Sequence, residues 1–162
     1  MPKSDEEIIK AVVERMYKRR VRESSETKAA FTMSYAISVR TGRCYVGYNL
    51  QDLNKTSDGS GVCAENRAAY LAASYGEKLH DMVFFALNAA SELFNACTQC
   101  QTWVYNGRGF MKNQSGSWII CTTKPPYWTP NALSDAERET LYAAGDEAIS
   151  AESADYFSTV HF

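Results

Sequence analysis

The sequence contains no apolar run approaching the roughly 20 residues that a membrane span requires. It has no positively charged leader followed by an apolar core at its start either, so neither an integral membrane protein nor a signal-bearing precursor is expected. No charge of one sign dominates: 17 Lys and Arg stand against 19 Asp and Glu, giving a net charge of −2 and a pI near 5.7. That balance excludes a general attraction to nucleic acid or an anionic membrane, while leaving room for local basic patches. Repeats and low-complexity linkers are absent. Histidine is scarce, and His80 and His161 read as surface or terminal residues rather than metal ligands. Cysteine is present in an odd number, five, and three of these are better assigned to a metal than to disulfides. A reducing, cytoplasmic location is expected, although an effector domain delivered into another cell would look the same.

What is present is an ordinary globular composition, 45% apolar and 22% charged in 162 residues, enough for one domain (1–162) with a sizeable core. Its most informative stretch is Val-Cys-Ala-Glu-Asn-Arg-Ala-Ala-Tyr-Leu-Ala-Ala, residues 62–73. Gly59, Ser60 and Gly61 precede it as loop residues and good helix formers follow, which places Cys63 in the first turn of a helix. A helix N-terminus favours the thiolate there, and Glu65 follows two positions on. Cys97 and Cys100 come where a strand-like run again gives way to a helix-like one, and at i and i+3 their sulfurs point the same way.

Three thiolates from two facing helix ends, Cys63, Cys97 and Cys100, make a site for one zinc ion with one coordination position left for water, as in a catalytic rather than a closed structural centre. Glu65 is then the proton carrier beside that water. Alternatives stand next to this reading. Cys97 and Cys100 alone also suit a redox pair or half of a structural site, and a closed set of Cys63, Cys97, Cys100 and Cys121 would leave Glu65 without a task. Outside such a set, Cys44 and Cys121 read as small buried apolar residues.

Cys63-Ala64-Glu65 followed by Cys97-x-x-Cys100 resembles the zinc-dependent cytidine deaminases, whose motifs are His or Cys, any residue, Glu, and later Pro-Cys-x-x-Cys. The resemblance extends to Ala68, Tyr70, Ala72, Ser74 and Gly76, and upstream to Gly47-x-Asn49, which is similar to the Gly-x-Asn that places an amide on the substrate sugar. It covers roughly residues 31–122. The sequence departs from the family pattern in having Ala96 in place of Pro, and Gln51 where a sugar-binding carboxylate follows the Asn. The segment between Asn49 and Cys63 is also longer than in compact nucleoside enzymes, and no Pro-Tyr-Ser-x-Phe type of segment precedes the first strand.

Along the chain, Ser4 and Glu7 form a capping box for an N-terminal helix over 4–22, with Ile8, Ile9, Val12, Val13, Met16 and Tyr17 on its apolar face. Its basic end, Lys18, Arg19, Arg20 and Arg22, reads as a solvated helix terminus. Residues 31–39 and 44–50 form a hairpin around Thr41-Gly42, and 82–87 a strand buried on both faces. Trp103, Val104 and Tyr105 are placed in a short helix ended by Gly107 and Gly109, Trp118 to Thr122 in a strand, and about Leu133 to Ile149 in a last helix capped by Asn131 or Ser134. Periodicity supports a mixed α/β class; the resemblance implies a three-layer α/β/α sandwich with a mixed central sheet, a zinc-binding core over 31–122, and a C-terminal helix and tail over 131–162.

The resemblance further implies hydrolytic deamination of a cytosine ring to uracil, with Glu65 carrying the proton from water to the ring nitrogen and helping ammonia leave. Free cytidine or deoxycytidine is the expected substrate, held by Asn49, Gln51 and Ala64. Cytosine in single- or double-stranded DNA or RNA is the alternative, favoured by Gln51, by the longer loop, and by Trp103, Tyr127 and Trp128 interleaved with Arg43, Arg108, Lys112 and Lys124. A nucleoside antibiotic is a smaller third class. Family nucleoside enzymes complete their pockets from neighbouring subunits, so a homo-oligomer is compatible, with Tyr156, Phe157, His161 and Phe162 available for that part. The reading from another class is a zinc-stabilised binding module without catalysis.

Overall fold

A computed structural model of the chain describes residues 3–22, 32–48, 64–88, 108–112, 118–122 and 133–150. The first helix, α1 (Asp5–Arg22), begins where the capping box expects it: the Ser4 amide donates to Glu7 Oε1 at 3.1 Å and the Glu7 amide to Ser4 Oγ at 3.2 Å. Those bonds hold the Glu7 carboxyl below its ordinary pKa. The buried stripe runs Ile8, Val12, Met16 and then Arg20, every fourth residue. Tyr17, one position round the helix from Met16, is 52% exposed, so it does not share the apolar face.

Strands β1 (Met33–Ser38) and β2 (Cys44–Tyr48) form the antiparallel hairpin, its turn relying on Gly42 at φ +75°. Ser38 Oγ accepts from the amides of Arg40 and Thr41 and braces that turn. Helix α2 (Ala64–Ser74) follows, with Gly76 beyond its end at φ +87°. Strand β3 (Met82–Leu87) is buried at every residue, as its unbroken apolar run requires in the middle of a sheet. With β4 (Arg108–Lys112), β5 (Trp118–Thr122) and β6 (Ala148–Ile149), the six strands among the described residues run β5-β4-β3-β1-β2-β6 across the sheet.

Two strands differ from expectation. Gly109 does not end a helix; it lies within β4 (Arg108–Lys112), which pairs parallel to β3 and antiparallel to β5 (Trp118–Thr122). The last helix, α3 (Asp135–Ala143), is shorter than 133–149: Gly145 adopts φ +98°, the chain leaves the helix, and Ala148–Ile149 form β6, parallel to β2. Ser134 is its cap, in a full capping box with Glu137.

Alternation along the strands sorts the core into two layers. Met33, Tyr35, Ile37, Val46, Phe85 and Leu87 pack with Ile8, Val12 and Met16 of α1 and Leu141 of α3. Ala36, Tyr45, Met82 and Phe84 pack on the opposite face with Ala68, Leu71 and Ala72 of α2. The result is the expected α/β/α sandwich with a mixed sheet. Its outer helices are tied by polar bonds: Arg15 Nη1 donates to the carbonyls of Tyr142 and Ala144 at 2.5 and 2.8 Å, satisfying the open end of α3. Asp5 accepts from Arg138 Nη1 at 2.6 Å and from the Ile120 amide of β5 at 3.0 Å.

Candidate active site

Three strands terminate together at one end of the sheet. Met33, which opens β1, is in register with Tyr48, which closes β2, and with Leu87, which closes β3. On the face toward α2 this end is paved with small side chains, because Ser34 lies between Gly47 on one side and Ala86 on the other. The Ser34 hydroxyl is spent within the sheet, donating to the Phe85 carbonyl at 3.0 Å. Two residues along, the same face carries the bulkier row Tyr45, Ala36, Phe84 beneath the later turns of α2.

The start of α2 comes down onto the small row. A Cβ on Gly47 would stand 2.4 Å from the Ala64 carbonyl oxygen and 2.6 Å from the Ala68 amide nitrogen, so only a residue without a side chain fits under that turn. Ala64 and Ala68 are fully buried, which their size permits. Glu65, in this same turn, is 3% exposed. A carboxylate that deep carries a desolvation cost, and its position at a helix N-terminus is where a negative charge is best tolerated. Arg67 is buried too, at 2%. Asn66 has its Oδ1 buried with no hydrogen-bond partner among the described residues. Burial pushes the Tyr70 phenol up to about 12, keeping it protonated at neutral pH.

On the other face α1 reaches the same end of the sheet. Its basic terminus is not wholly solvated: Arg20 is 5% exposed and its Nη1 donates to the Asn88 carbonyl just past β3, with burial lowering its pKa. The i+4 spacing from Met16 was the signal for this.

Of the residues singled out in the sequence, Glu65 and Ala64 are therefore placed together at the buried start of α2. Cys63, Cys97, Cys100, Asn49 and Gln51 lie outside the described residues, as do Trp103, Tyr127, Trp128 and Lys124. Among the described residues no three His, Cys, Asp or Glu side chains gather to hold a metal. The donor set that would do so is the cysteine trio. Three thiols suit zinc, and the residue after Cys63 opens the helix that carries the buried Glu65.

Arg43 does not join a rim at this end. It lies at the hairpin end, its Nε 3.1 Å from Glu77 Oε2, and Glu77 also accepts from Tyr45 Oη at 2.7 Å and Thr41 Oγ1 at 3.1 Å. The cavity of about 180 Å³ there, beside Lys78, is thus lined by two ion pairs, Arg40 with Asp81 and Arg43 with Glu77. Cys44, at the hairpin end of β2, is 1% exposed, and desolvation raises its thiol pKa well above the ordinary range. It is an inert core residue, as its sequence context implied. Sequence reasoning did not find the steric role of Gly47 or the burial of Arg67. The one available signal was a glycine between large residues, Tyr45-Val46-Gly47-Tyr48, where a strand interior gains nothing from it unless another backbone approaches.

No protein-family model and no curated protein matches the sequence. Among solved structures the chain is similar to a cytidine deaminase from Burkholderia pseudomallei, with a TM-score of 0.48 and 16% identity over 70% of this chain and 91% of that one. It is also similar to a cytidine deaminase from Mycobacterium leprae, with a TM-score of 0.45 and 17% identity over 65% of this chain and 88% of that one. The α/β/α arrangement stands on the chain's own strand order and helix placement.

Proposed function

We propose that the chain is a zinc-dependent hydrolase that deaminates a cytosine ring to uracil, acting on free cytidine or deoxycytidine. The observation that carries this reading is the burial of Glu65 at the first turn of α2, in the sequence Cys63-Ala64-Glu65. Cys63, Cys97 and Cys100 would hold one zinc ion, which supplies, when bound, a water acidic enough to act as nucleophile near neutral pH.

The protein's own part falls to Glu65. It takes one proton of the attacking water and delivers it to the ring nitrogen beside the reacting carbon, then takes the second from the hydroxyl formed on that carbon and gives it to the amino group, which leaves as ammonia while the carbon becomes a carbonyl. Ala64 and Ala68, fully buried, seat the same turn against Gly47 of the sheet. Asn49 and Gln51, which follow β2, are proposed to contact the sugar. The experiment is ammonia release and product mass with zinc-quantified protein, offered cytidine, deoxycytidine, and cytosine-containing single- and double-stranded oligonucleotides in parallel. Conversion of the nucleosides supports the reading as stated. Conversion of oligonucleotides alone replaces the substrate by the polymer, and zinc binding without turnover of any of them favours a binding module.

A further inference from the structure

We propose that Gly47 is a positioning residue of the active site: its missing side chain seats the first turn of α2 on the sheet and thereby sets where the Glu65 carboxylate stands. The proposal rests on the deaminase reading for its consequence, though not for its geometry. A methyl group on Gly47 would meet the Ala64 carbonyl oxygen at 2.4 Å, the Ala68 amide nitrogen at 2.6 Å and Arg67 Cβ at 3.0 Å. The two closest are backbone atoms of the helix, so no rotamer change relieves them. Either the helix start or the strand must move.

The strand is the less free of the two. Gly47 is laddered to Ser34 within the sheet, and Ser34 in turn to Ala86. The helix start meets the sheet over the small row Gly47, Ser34, Ala86, and it is this turn that a side chain would lift. Bringing 2.4 Å back to ordinary van der Waals contact takes about 1 Å. Displacement of a reacting group by that amount costs on the order of 10²-fold in rate, because proton transfer demands hydrogen-bond reach. Cys63 is covalently next to Ala64, so the proposed zinc ligand is coupled to the same seat.

The test compares Gly47→Ala with Ala72→Val, which crowds the far part of the same helix at another fully buried alanine. Both are checked for folding by circular dichroism. For Gly47→Ala the expected result is a kcat lower by about 100-fold with KM little changed, and zinc affinity, read by chelator competition, lower by about tenfold. Ala72→Val should lose thermal stability yet keep kcat and zinc affinity per folded molecule. A Gly47→Ala protein with wild-type kcat and zinc affinity overturns the proposal, and so does an equal loss in Ala72→Val. Should Gly47→Ala fail to fold, Ala68→Val lifts the same turn from the helix side and is read by the same criteria. A wild-type protein that neither binds zinc nor releases ammonia would instead defeat the deaminase reading. The seat is then decided by amide hydrogen exchange. Faster exchange at the start of α2 in Gly47→Ala than in Ala72→Val sustains it, and equal exchange removes it.

Discussion

Cys44 and Glu65 are both buried side chains with ionisable groups, and their surroundings assign them opposite chemistry. Cys44 sits in the apolar layer under α1, where loss of water raises its thiol pKa and leaves it protonated and unreactive. Glu65 sits at a helix N-terminus over the end where three strands meet, and the proposed function gives its carboxylate the proton transfer. The contrast yields a prediction for all the cysteines. In native zinc-loaded protein, iodoacetamide should spare Cys63, Cys97 and Cys100; chelation should expose those three while Cys44 stays unmodified until the protein is denatured, as read by peptide mass mapping. Release of Cys121 together with the trio would point to a closed four-thiolate site. The burial of Cys44 was legible from the tendency of a lone thiol to be a small buried apolar residue, and the place of Glu65 at a helix start from the helix formers that follow Gly61. The role of Gly47 was legible only in part, because a glycine among the large residues of a strand signals that some backbone approaches but not that it is the helix opening 17 residues later.

The starts of α1 and α3 carry local signals and agree with the sequence, whereas β4 and β6 are defined by distant partners and differ from it. The Ser4-Glu7 and Ser134-Glu137 capping boxes are closed within four residues, so the starts of α1 and α3 follow from sequence. β4 carries a glycine in its interior and is a strand because β3 and β5 flank it, a fact absent from its own residues. β6 has two residues and exists only through β2, while the end of α3 was announced by Gly145 and overlooked. The same scale holds the junction at Asp5, where α1, β5 and α3 meet through the Ile120 amide and Arg138. Asp5→Ala leaves the part-buried Ile120 amide without its acceptor and the Arg138 guanidinium with the Lys3 carbonyl but no carboxylate, and should cost about 1–3 kcal/mol in urea unfolding. Ser134→Ala, which removes one cap alone, should cost about 1 kcal/mol.

For the molecule as a whole, the central strands β1 and β3 bind two helical layers into one structure, and the candidate site lies at the end where β1 starts and β3 stops. Phe85 lies fully buried in the middle of this arrangement, and Phe85→Ala should destabilise by about 3–5 kcal/mol, a loss visible as a large fall in thermal midpoint. Because Phe85 faces α1 and not α2, the fraction that remains folded should keep its activity. The proposed function stands or falls with Glu65 as the group that moves the proton in a zinc-dependent deamination. Its most direct test is ammonia release from cytidine by wild-type and Glu65→Gln proteins of measured zinc content. About one zinc per chain is expected in both, with a rate lower by about 10²–10⁴-fold in the variant. Equal turnover by the two zinc-loaded proteins would contradict it.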